Sequence, residues 1–138
     1  MLVLKILGVL LFTWFMYLLI IKINSITYKK YNYELFIGES IFIIGIGYGL
    51  SIWGYIWYSN ELSANGDILN GLLVLAIGVL ILLVQLYINI KHTKFFIGIF
   101  LTIIQFILCI PLLAVLGILL VGLLFAAGAV KPVYNIND

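Results

Sequence analysis

The sequence contains no arginine, one histidine, one cysteine and two prolines, and only 9% of its 138 residues are charged. Each shortage removes a class of function. Without arginine there is no planar fork to grip a phosphate or carboxylate bidentately. Seven lysines against five acids give a net charge of +2, too little basic charge for nucleic-acid binding. Cys109 stands alone in an apolar run, so neither a disulfide framework nor a thiolate metal site is available within the chain. His92 is also alone, and a histidine metal centre would require several subunits to converge. No H-E-x-x-H, Walker loop, nucleophile elbow or aspartate pair occurs. The expectation is a protein without catalytic activity, cofactor or bound metal.

What the chain does have is apolar surface. Hydrophobic residues make up 66% of it and the mean hydropathy is +1.32. A water-soluble fold of this length has no means of hiding so much, because it needs a polar shell. The composition therefore implies an all-α, polytopic integral membrane protein with the lipid bilayer as its solvent. The opening run carries Trp14, Phe15 and Tyr17 and meets no small-residue cleavage site, so it reads as a retained helix rather than a signal peptide.

A span of about 30 Å of hydrocarbon takes roughly 20 residues. Four stretches qualify, all within a single transmembrane domain: Leu2–Ile21, Leu35–Trp57, Gly71–Ile90 and Phe95–Val130. The short Lys91–Lys94 connection makes the last two antiparallel neighbours. The fourth stretch would be about 54 Å long as one helix. It is expected to be a single helix kinked at Pro111, with a hairpin turning near residues 111–117, and hence five spans, as the alternative. Leu35-Phe36-Ile37-Gly38 and Phe95-Phe96-Ile97-Gly98 hint at a duplicated hairpin, but chance similarity between aliphatic stretches accounts for them.

Five of the seven lysines fall at residues 22–34 and 91–94, whereas the second connection has none and carries Glu61 and Asp67. The positive-inside rule places the first and third connections in the cytoplasm and the N-terminus outside, in a bacterial inner (plasma) membrane. Trp53, Tyr55, Trp57 and Tyr58 then form an aromatic belt at the outer interface, and Tyr28, Tyr31 and Tyr33 one at the inner.

Glu39, in Gly38-Glu39-Ser40, is the candidate intramembrane carboxylate, about one turn inside the second span. Ionisable residues in spans are expensive, so it is either a proton or cation site or a hydrated carboxylate beside Lys91 and Lys94; its shallow position favours the second. Gln85 lies at a similar depth and is expected to tie the second and third helices. Gln105, with Thr102 one turn before it, either faces an oligomer axis or ties helices together. Gly38, Gly45 and Gly49 form one small-residue stripe on the second helix, and Gly47 and Ser51 a second pair on another side. Gly117 and Gly122 give the end of the fourth helix the same character, which marks faces for close helix packing. Gly47-Tyr48-Gly49 resembles three residues of a potassium-channel filter, but it sits mid-span where a helix is expected. The functional expectation is helix–helix association, as a homo-oligomer or an accessory subunit of a membrane complex. A small transporter or channel using Glu39 is the alternative.

Overall fold

The computed structural model describes residues 2–129. They form four helices, α1 (Leu2–Tyr31), α2 (Gly38–Ser63), α3 (Leu69–His92) and α4 (Phe95–Ala129), with no strand among the described residues. All four are long and apolar enough to cross a membrane, and the chain is a small membrane protein. The bundle has a lysine end, where α1 and α3 finish, and a tryptophan end, where α2 finishes with Trp53 and Trp57.

The helix limits depart from the apolar runs. The stretch Lys22–Glu34 is mostly not a loop: α1 continues to Tyr31, because no proline or glycine interrupts Lys22–Tyr31 and the polar side chains can reach an interface. At 30 residues it is about 45 Å long, the full thickness of a bilayer with its headgroups. It stops at Asn32, whose φ of 51° lies in the left-handed region that asparagine tolerates, with its N–H donating to the Tyr28 carbonyl at 2.8 Å.

Conversely, Leu35–Ile37 is not the start of the second helix. The chain folds back along α1, and Asn24 holds it there through two bonds. Its Nδ2 donates to the Phe36 carbonyl and its Oδ1 accepts from the Phe36 N–H, both at 2.8 Å. Leu35 and Phe36 are buried in one core cluster with Ile44 and Cys109, so their side chains plug the bundle while their backbone is non-helical. Ser40 then caps α2: its Oγ accepts from the Ile37 N–H at 3.2 Å and faces the Leu35 and Ile37 carbonyls, each at 2.9 Å.

α2 and α3 form the tightest pair. A Cβ added to Gly78 would lie 2.5 Å from both the backbone N and Oγ of Ser51, and one added to Gly71 would lie 2.5 Å from the Tyr58 N. Gly54 meets the Leu75 backbone in the same way, and Gly47 meets the Leu82 side chain. The contact positions 47-51-54-58 and 71-75-78-82 share 4-3-4 spacing, the seam of a left-handed helix pair. α4 crosses as one uninterrupted helix with Pro111 inside it, so the hairpin does not form. Pro111 has no N–H to offer the Ile107 carbonyl, a loss that membrane helices tolerate inside a bundle. The opening of α4 packs its Gly98 against the Ile90 backbone across the two-residue turn at Thr93 and Lys94. The stretches 35–38 and 95–98 therefore fold differently, one as loop and helix cap, the other as helix.

Candidate functional site

The buried polar side chains Ser40, Gln85, Asn89, Thr102 and Gln105 gather at the lysine end. Gln85 and Asn89 share one face of α3, one turn apart, and Thr102 and Gln105 share the facing side of α4. The short turn between these helices brings the pairs together. Gln105 is fully buried, and its Nε2 donates to the Leu35 carbonyl at 2.6 Å. Because only the amide nitrogen can serve a carbonyl, Oε1 must face the other way, where it accepts from Asn89 Nδ2 at 2.7 Å. Asn89 Nδ2 also donates to Thr102 Oγ1 at 2.9 Å. Asn89 Oδ1 in turn accepts from the Tyr33 hydroxyl at 2.8 Å and from Gln85 Nε2 at 3.1 Å. Burial pushes the Tyr33 phenol above its ordinary value of 10.0, so it stays a donor.

One backbone carbonyl thus fixes the orientation of three amides in succession. The sequence leaves an oxygen at its end. Gln85 is 1% exposed, its Nε2 points at Asn89 and Gln105, and its Oε1 has no partner. Turning the amide over would set that oxygen against Asn89 Oδ1 and Gln105 Oε1, two acceptors, so the orphan is enforced by the network.

Of the residues singled out from sequence, Gln85, Gln105, Thr102 and Ser40 meet at or beside this cluster, and Thr102 and Gln105 are interhelical ties rather than pore-facing groups. The Gln85 tie differs from expectation: its nitrogen bonds along α3 and to α4, and no hydrogen bond joins it to α2. Glu39 is exposed in the first turn of α2, where a carboxylate suits the helix N-terminus. It shares a cavity of about 240 Å³ with Tyr33, Ser40, Gln85 and His92, walled otherwise by Ile37, Ile43 and Ile88. Neither Lys91 nor Lys94 lines that cavity. Asn24, Tyr33 and Asn89 were missed. The available signal was the i, i+4 spacing of Gln85 and Asn89 facing the i, i+3 spacing of Thr102 and Gln105.

Most of the glycine stripe has no close partner within the described residues. Gly38, Gly49, Gly117 and Gly122 have open space where a Cβ would go, and Gly45 meets only the end of Leu113. Within the chain the close-packing glycines are Gly47, Gly54, Gly71, Gly78 and Gly98, because the α2–α3 seam runs along the other side of α2. Of the expected glycines, Gly38, Gly45 and Gly117 line a groove of about 640 Å³, with Phe42 beside the first two and Leu113 and Leu120 on the α4 wall, whereas Gly49 and Gly122 are not part of its lining. Beyond it α4 is exposed from 116 to 128 and α1 from 3 to 15, the two bordering a shared cavity at Phe12, Thr13, Leu116 and Leu119. Gly47-Tyr48-Gly49 is helical, and the Tyr48 hydroxyl donates to the Phe106 carbonyl of α4 at 3.1 Å.

Among the described residues no cluster of three or more His, Cys, Asp or Glu side chains could hold a metal ion. Comparison with protein-family models, with curated proteins and with solved structures finds no match for this chain.

Proposed function

We propose that this small membrane protein acts without catalysis, by associating with a second copy of itself through the α2–α4 glycine groove. The observation that carries this reading is the open glycine stripe. A glycine within a helix costs about 1 kcal/mol relative to alanine. Close helix contact compensates for it at Gly47, Gly54, Gly71 and Gly78, whereas Gly38 and Gly117, on the two walls of the groove, have no such contact among the described residues. A neighbouring helix supplies the missing contact, since small residues let membrane helices approach closely. Copies inserted in the same orientation and related by a two-fold axis along the membrane normal bring Gly117 to the depth of Gly117, so the notch meets itself. By the positive-inside rule the lysine end faces the cytoplasm of a bacterial inner membrane.

Ion transport through Glu39 is the weaker reading. Glu39 is exposed, and toward the tryptophan end the polar cluster gives way to an isolated buried hydroxyl at Ser51. The test is the mass of the protein extracted gently from membranes. Two chains of 15.5 kDa are expected, falling to one in Gly117→Leu. A wild-type monomer contradicts self-association, and a complex containing a different subunit favours the accessory role.

A further inference from the structure

We propose that the cavity between Tyr33, Glu39, Gln85 and His92 is a binding site for a primary ammonium group at the lysine end of the bundle. The direction of the hydrogen bonds around it carries the inference. Each polar group on its wall has its hydrogen committed inward. The Tyr33 hydroxyl donates to Asn89 Oδ1, the Ser40 hydroxyl faces the Leu35 and Ile37 carbonyls, and Gln85 Nε2 donates to Asn89 and Gln105. His92 Nδ1 lies 2.9 Å from the Ile88 carbonyl, so in the neutral ring it carries the proton and Nε2 keeps a lone pair. Glu39 is a carboxylate at the helix N-terminus and accepts only.

The side chains around the cavity therefore present mainly acceptors and one carboxylate, the complement of a cation with several N–H groups. The orphan Gln85 Oε1 is the independent sign of a missing partner. A buried acceptor left unsatisfied is disfavoured, and Gln85 is one of the residues that line the cavity. Among the described residues no lysine lines the cavity. Tyr33 and His92 stack at 4.6 Å between centroids with planes 11° apart and form one wall of the cavity. The volume, about 240 Å³, admits a small headgroup and not a bulky one.

Two sources carry this chemistry, an ethanolamine lipid headgroup and a free alkylamine. The test uses the whole purified protein in nanodiscs of phosphatidylcholine, with phosphatidylethanolamine titrated in and soluble ethanolamine titrated separately, read by thermal unfolding and by native mass spectrometry. The primary amine should bind and raise the melting temperature, whereas phosphatidylcholine, whose quaternary nitrogen has no N–H, should not. Glu39→Gln, exposed and harmless to packing, should weaken binding about tenfold or more. Gln85→Met should weaken it as well, and a melting profile without ligand separates lost binding from lost fold. Binding of the lipid alone assigns a headgroup site, and binding of both amines a general ammonium site. Equal response to ethanolamine and choline lipids, or an unchanged affinity in Glu39→Gln, overturns the proposal.

Discussion

Asn89 touches more of the polar cluster than any other residue described, joining Tyr33, Gln85, Thr102 and Gln105. Single interhelical hydrogen bonds in membranes average about 0.6 kcal/mol. Removing Asn89, however, also leaves its partners unsatisfied in a dry interior, so Asn89→Leu should lower stability by about 1–3 kcal/mol. Cys109 provides the assay. Fully buried and the only thiol, it should react with a maleimide at a rate set by opening of the bundle, faster in the variant. Glycines give a sharper contrast. Gly78→Ala forces its Cβ onto the Ser51 backbone and should destabilise by about 1–3 kcal/mol, whereas Gly49→Ala meets nothing within 4 Å and should be neutral or stabilising in the monomer. Equal melting temperatures for the two variants would contradict the α2–α3 seam.

At the scale of elements, the connection 32–37 is the distinctive feature, a loop turned inward and held by Asn24. Substituted singly by cysteine, Glu34 should label readily and its neighbour Leu35 should not, because the first is exposed and the second fully buried. Labelling of both would mean that the loop lies outside the bundle. The four helices and the unbroken α4 were legible in the sequence, since twenty or more apolar residues have few other stable forms in lipid. Helix ends were not, because hydropathy marks where lipid can lie and not where hydrogen bonding stops. Lys22–Tyr31 is polar yet helical, and Leu35–Ile37 is apolar yet irregular. The polar site was half legible: Gln85 and Gln105 stood out within apolar runs, while Asn89 and Tyr33 lay near the expected boundaries and passed for interfacial residues. Gly47 was legible through its pairing with Ser51, and the other packing glycines were readable in principle, because Gly47 and Gly54 share a seven-residue spacing with Gly71 and Gly78. That match appears only when α2 and α3 are aligned antiparallel.

At the scale of the whole molecule, the lysine end is closed by the polar cluster and the plugging loop, while α1 and α4 extend from it with exposed far halves. Lysine placement makes the orientation testable: a cysteine at Ser63 should react with an impermeant reagent in intact cells, and one at Thr93 should react only after the membrane is opened. Whether a second copy occupies the α2–α4 groove is tested most directly by disulfide formation in native membranes between chains carrying Gly117→Cys. Ile118→Cys, exposed on a neighbouring face of the same helix, serves as the control. The expected result is a covalent dimer of two 15.5 kDa chains for Gly117→Cys and little for Ile118→Cys. No dimer at Gly117, or equal yields at both positions, would contradict association through the glycine groove.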